Sequence, residues 1–125
     1  MEDRTIENYC KTIMFFDKGE GASSSQIAKK LRISKISVSI TLKKLRKDGY
    51  IIMKPYQKVK LSQKGKEVAE KIAKRYELLL NFLEKVGVER KIAEKEACAM
   101  EHILSESTIK KISNCLPNCL QKKKK

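Results

Sequence analysis

The chain has 125 residues and a mass of 14.4 kDa, with 29 lysines and arginines against 15 acids and a formal net charge of +14. A chain of this length buries only about two-thirds of its unfolded surface, so one domain, or two small ones helped by oligomerisation, is expected. No apolar run approaches the roughly 18 residues of a membrane span, and the acidic start Met1-Glu2-Asp3-Arg4 is unlike a secretory signal, which points to a cytoplasmic protein.

In chain order, Tyr9, Ile13 and Phe16 recur at helical spacing and predict a first helix over about 2–17, stopped by Gly19-Glu20-Gly21. Ser23, Ser24 and Ser25 offer an N-cap to a short helix that turns Ile27, Ala28 and Leu31 inward. After a turn near Arg32 and Ile33, Ser34 caps a helix over about 35–48 that buries Val38, Leu42 and Leu45 and stops at Gly49. Two short helices so joined have the helix-turn-helix layout. Tyr50-Ile51-Ile52-Met53 and Lys58-Val59-Lys60-Leu61, separated by the turn Lys54-Pro55-Tyr56-Gln57, predict a small hairpin, or wing. Ser62 caps a long helix over about 63–86 with the stripe Val68, Ile72, Tyr76, Leu79, Leu83 and Val86, ended by Gly87. Two more helices follow, over about 89–104 and from Ser105 through Ile109, Ile112 and Leu116, the last closed by Pro117. The predicted fold is mostly α, with a winged helix-turn-helix domain over 1–63, a helical dimerisation domain over 64–120 and a basic disordered tail over 121–125.

The charge is concentrated. Between Lys29 and Lys66 there are thirteen lysines and arginines and one acid, Asp48, whereas Glu67 to Gln121 balances nine basic residues with nine acidic ones. Such a block implies a polyanion partner. In a winged helix-turn-helix the second helix enters the major groove and the wing lies on phosphates, which makes Ser34, Lys35, Ser37, Ser39, Ile40, Lys43 and Lys44 the candidate reading face. Small hydroxyls approach base edges, Ile40 suits a thymine methyl, and the later lysines suit phosphates. Lys54, Tyr56, Gln57, Lys58 and Lys60 are the wing counterparts. Only Tyr50 and Tyr56 are aromatic in the block, which disfavours single-stranded RNA and favours duplex DNA bound by a homodimer on a near-palindromic site. A charge-driven nucleic-acid-binding protein with little sequence preference is the alternative.

Cys98, Glu101 and His102 stand at i, i+3 and i+4 on one predicted helix, so they share a face. A thiolate, a carboxylate and an imidazole form a borderline-soft set suited to ferrous iron, zinc, cobalt or nickel. The same triple reads equally as a small core cysteine beside a polar edge. Cys10, Cys115 and Cys119 read as packed thiols, with Pro117 breaking the helical register between the last two. There is no Ser-His-Asp set or glycine-rich phosphate loop, so an enzyme is not indicated.

With these features in hand, the chain resembles the diphtheria-toxin-repressor family of metal-dependent transcriptional repressors over about Glu2 to Leu116. The likeness is carried by Ile27-Ala28-Lys29-Lys30-Leu31, Val38-Ser39, Leu61-Ser62-Gln63-Lys64-Gly65, Arg75-Tyr76-Glu77-Leu78-Leu79 and, above all, Glu96-Ala97-Cys98-Ala99-Met100-Glu101-His102-Ile103-Leu104-Ser105. The resemblance implies a short form without the family's SH3-like domain, binding one divalent metal, Fe2+ ahead of Mn2+ or Zn2+, through Cys98, Glu101, His102 and Asn8. It also marks departures. Asn8 stands where the family has an acid or a methionine, Tyr76 where a histidine ligand is usual, and Lys11 where manganese-responsive members are acidic. These departures imply that the second metal position is lost; Glu94, where iron-responsive members have histidine, restores one carboxylate but not a full ancillary site. A metal-independent or thiol-responsive regulator on the same scaffold is the alternative this implies.

Overall fold

The computed structural model describes residues 2–55 and 57–123, with side chains as far as 116. It forms two compact units, Met1–Lys71 and Ile72–Lys125. The start of the long helix that follows the wing is part of the first unit, with Ala69 in its hydrophobic core and Val68 packed against it.

The first unit begins with α1 (Asp3–Phe16), α2 (Ser24–Leu31) and α3 (Lys35–Lys47). A capping box starts α2: Gln26 N–H donates to Ser23 Oγ and Ser23 N–H to the Gln26 side chain. Ser34 Oγ accepts from Ser37 N–H at 3.1 Å to start α3. The turn between them rests on Arg32, which adopts a left-handed φ of 57°. α1 buries Ile6, Tyr9, Cys10 and Ile13, which close with Ile27, Val38, Leu42 and Leu45 into one core.

The wing is shorter than expected. Strands β1 (Ile51–Ile52) and β2 (Lys60–Leu61) pair antiparallel, Ile51 with Leu61. Ala22 adds a third line through two backbone bonds of 2.8 Å to Val59. The loop expected only to stop α1 is therefore part of the sheet. It is held there by Asp17, whose carboxylate accepts from Gly19 N–H and Gly21 N–H, both at 2.8 Å. These two amides, with Lys60 and Lys66 adding to them, hold the Asp17 carboxyl below its usual range. Tyr56, expected in the turn, lies outside the described residues.

α4 (Gln63–Lys85) starts under Ser62 Oγ, which accepts from Gly65 N–H at 3.2 Å. A Cβ on Gly65 would collide with the Tyr50 carbonyl and come within 3.0 Å of Leu61, so the helix backbone itself presses on the wing.

The second unit contains the later part of α4, α5 (Arg90–Ile103) and α6 (Glu106–Lys123). Leu79, Leu80, Leu83, Ala93 and Ala97 form its core, with Tyr76, Met100, Ile109 and Ile112 against it. Three expectations fail here. Val86 is 57 % exposed, because α4 ends at Lys85 and Gly87 turns the chain at φ +102°. Pro117 does not close α6, which continues to Lys123 and so into the expected disordered tail; Lys124 and Lys125 lie outside the described residues. An interior proline costs one N–H and a clash with the preceding turn, which the packing of Ile109, Ile112 and Leu116 in the turns before it offsets. Cys115, expected to be packed, is exposed. No helix among the described residues is long and apolar enough to cross a membrane.

Two predictions follow from these contacts. Gly65→Ala, favourable in an ordinary helix interior, is expected to destabilise by about 1–3 kcal/mol through the clash with Tyr50, read by denaturant unfolding. Asp17→Ala is expected to cost about 0.5–1 kcal/mol at neutral pH. Because the native carboxyl is depressed, that difference persists above the ordinary Asp range and is lost as pH falls through the lowered native value, as unfolding at a series of acid pH values would reveal.

Candidate functional site

α3 turns Val38, Leu42 and Leu45 into the core. With about 3.6 residues per turn, the opposite line is Ile36, Ile40, Lys43 and Lys47, all exposed. Ser34, Lys35, Ser37, Ser39 and Lys44 flank it and are exposed too, so every α3 residue expected on the reading face reaches solvent. Ser34 and Ser37 are partly committed, since their hydroxyls lie 3.0 Å apart while Ser34 caps the helix. Sequence reasoning missed Ile36. At 75 % exposure it is more open than Ile40 at 53 %, and two isoleucines one turn apart form an apolar strip on an otherwise polar face. The signal was present: Ile36 precedes Val38 by two residues, which on a helix puts it on the far side.

On the wing, Lys54, Gln57 and Lys58 are exposed around an open cleft that Ile52 and Glu20 also line. Lys58 Nζ lies 3.9 Å from Glu20, a long pair between exposed groups that leaves the lysine available. Lys60 differs: its Nζ donates to the Gly19 carbonyl at 2.9 Å and ties the wing to the loop after α1.

In the second unit, the last turn of α5 brings two of the expected donors together. Glu101 is fully buried, the His102 side chain is 2 % exposed, and His102 Nε2 lies 3.3 Å from Glu101 Oε1. Cys98, one turn earlier, is exposed. Among the described residues no three His, Cys, Asp or Glu side chains are gathered as a metal group. Asn8, half-buried on α1, has its backbone carbonyl bonded by Thr12 Oγ1 at 2.7 Å. Glu94 is exposed, 3.7 Å from Arg90 Nε. The donor chemistry of Glu101 and His102, an oxygen and a nitrogen side by side out of solvent, fits a divalent transition metal. Cys10, by contrast, is a packed thiol: burial pushes its pKa up to about 12, with Glu7 adding to the rise, so it stays protonated.

A second residue went unnoticed in the sequence. Arg75 is only 9 % exposed and donates from Nη1 to the carbonyls of Glu101 at 3.3 Å and Leu104 at 3.0 Å. It stands three residues after Ile72 and four before Leu79, so it falls on the inward stripe of α4. A charge at that register is the sign that could have exposed it.

Comparison with known proteins matches both units. Residues 3–59 match a family model described as iron dependent repressor, N-terminal DNA binding domain. Residues 62–122 match iron dependent repressor, metal binding and dimerisation domain. The chain is 34 % identical over 112 residues to an uncharacterised HTH-type transcriptional regulator of Methanocaldococcus jannaschii, covering 87 % of this chain and 90 % of that one. It is 32 % identical over 114 residues to the HTH-type transcriptional regulator MntR of Lysinibacillus sphaericus, covering 91 % and 79 %. A solved manganese-dependent transcriptional repressor in complex with manganese has a TM-score of 0.79 at 23 % identity, over 90 % of this chain and 52 % of that one. A hypothetical protein from Sulfolobus solfataricus gives 0.71 at 23 %, over 93 % and 89 %. At that identity the two structures bear on the fold alone.

Proposed function

The chain belongs to the iron-dependent repressor family, the diphtheria-toxin-repressor family of metal-dependent transcriptional regulators rather than of enzymes, and from that premise we propose a cytoplasmic, homodimeric repressor of metal-homeostasis genes. The observation that carries the proposal is the exposed line of α3. Two isoleucines and the lysines beside them stand opposite a buried stripe on the second helix of a helix-turn-helix. Lys43, Lys44 and the wing residues Lys54, Gln57 and Lys58 take phosphates, while Ser37, Ser39, Ile36 and Ile40 face base edges. A dimer presents two such helices to the halves of a near-palindromic operator.

Cys98, Glu101 and His102 are the proposed metal donors, and Asn8 joins them on sequence likeness alone. Fe2+ is favoured over Mn2+ because a sulfur donor suits the softer ion and Lys11 replaces an acid of the manganese-responsive members. Zn2+ is the next candidate. When bound, such an ion supplies positive charge beside the buried Glu101 carboxylate, whose desolvation is otherwise costly. Metal control then requires the protein's DNA-competent form to carry the higher metal affinity. One observation favours a second reading, a regulator that works without metal: Cys98 is exposed whereas Glu101 is fully buried.

Fluorescence anisotropy on the DNA upstream of the protein's own gene tests both halves. Lys43→Gln with Lys44→Gln is expected to weaken binding and to lower the slope of log affinity against log salt by about two; an unchanged slope removes α3 from the interface. Ile36→Ala is expected to weaken operator binding while leaving that slope alone. Adding iron anaerobically to chelated protein is expected to tighten binding tenfold or more, about 1.4 kcal/mol of coupling. Cys98→Ala with His102→Ala should abolish that response. A wild-type protein indifferent to iron, manganese and zinc would instead support the second reading.

A further inference from the structure

Arg75 and Glu101 are the two buried charged side chains among the described residues, and the Arg75 guanidinium bonds the backbone carbonyl of Glu101. Withdrawing a guanidinium from water is expensive, so its position has to be explained by what it bonds. Its Nη1 donates to the carbonyls of Glu101 and Leu104, and Nη2 lies 3.9 Å from Glu106 Oε1. Those carbonyls belong to the end of α5, where the last four carbonyls of a helix have no partners of their own.

The ends of α3 and α4 show one way in which this chain closes a helix. α3 is followed by Gly49 at φ +85° and α4 by Gly87 at φ +102°, the usual glycine stop. α5 has no such glycine. Its C-cap, Leu104, is extended at φ −80° and ψ 139°, and Ser105 immediately starts α6, accepting from Thr108 N–H at 3.1 Å. Arg75 supplies from α4 donors for the open carbonyls and a positive charge at the negative end of the helix dipole. The turn it holds is the one that carries Glu101 and His102.

We propose that Arg75 is a positioning residue for the metal-binding pair, fixing the backbone from Glu101 to Leu104 so that the Glu101 carboxylate and His102 imidazole are set side by side before an ion arrives. The proposal rests on the reading that Glu101 and His102 bind metal. Donors already held in place lose less freedom on binding, so releasing the helix end should weaken the site without removing any donor.

The test is titration of chelated full-length protein with Co2+, followed by its d–d absorption, for wild type, Arg75→Met, Arg75→Lys and His102→Ala. Arg75→Met is expected to weaken Co2+ binding tenfold or more and to alter the d–d bands. Arg75→Lys keeps the charge and one donor group, so it should recover part of the affinity and move the bands back toward wild type. Leu83→Ala, a core truncation in the same unit, lowers the melting temperature but should keep the wild-type spectrum, which separates positioning from general loss of stability. Wild-type affinity and bands in Arg75→Met, with binding weakened in His102→Ala, would overturn the role of Arg75 alone. Unchanged Co2+ binding in His102→Ala would overturn the metal reading and the role of Arg75 with it. If Arg75→Met does not fold, Arg75→Lys and Arg75→Gln carry the comparison, and wild-type spectra in both would overturn the role equally.

Discussion

Where α3 ends, the chain must reverse into a strand, and the carbonyls of Gly49 and Tyr50 are left facing the start of α4. Ser62 satisfies both: its hydroxyl donates to the Gly49 carbonyl at 2.5 Å and its N–H to the Tyr50 carbonyl at 3.0 Å. The same hydroxyl accepts from Gly65 N–H, so one side chain closes the end of α3, the root of the wing and the first turn of α4. Lys64 reinforces the joint, donating to the Asp48 carbonyl at 3.0 Å with its ammonium 4.3 Å from the centre of the Tyr50 ring. Only glycine at 65 lets the helix come this close. The orientation of α3 relative to the wing, which any groove-reading geometry needs, depends on this junction.

If α3 reads DNA as proposed, a rigid joint matters, because the helix has few side chains with strong directional chemistry for bases. Its first turns carry serine and isoleucine, with no Asn, Gln or Arg before Arg46. Affinity from the lysines is long-range and indifferent to sequence. On that reading discrimination falls to short-range contacts of hydroxyls and methyl groups, and a misplacement of about 1 Å already forfeits up to about half of a dispersion contact. The capping box on α2, the Ser34 cap on α3 and the Ser62 junction are devices for holding those contacts in register.

Most of the fold was legible because it is written in local chemistry. Ser23, Ser34 and Ser62 cap where their hydroxyls precede an apolar period, and Gly49 and Gly87 stop helices that cannot otherwise reverse. What could not be read is set by contacts distant in sequence. The bridge from Ala22 to Val59 joins a loop to a wing 37 residues away, and nothing in Gly19-Glu20-Gly21 alone announces it. Pro117 signals a helix end, yet the apolar face before it outweighs one missing N–H. On the reading face, helical arithmetic applied to Ile40 but not to Ile36 left out the more exposed of the two. In the proposed metal donors, spacing on α5 gives Cys98, Glu101 and His102 one face but could not tell that Glu101 is buried while Cys98 is exposed one turn away.

Among the described residues the apolar core of the second unit is small, with Leu79, Leu80, Leu83, Ala93 and Ala97 as its buried cluster. A core so limited gains little from burying Arg75, Glu101 and most of His102, since ionic groups withdrawn from water are a poor source of stability compared with apolar side chains of the same volume. An apolar residue at 75 with a glycine after α5 would end the helix at lower cost. On the proposed reading the arrangement is economical because the end of α5 has to present an acid and an imidazole in one fixed relation, a chemical requirement rather than a structural one.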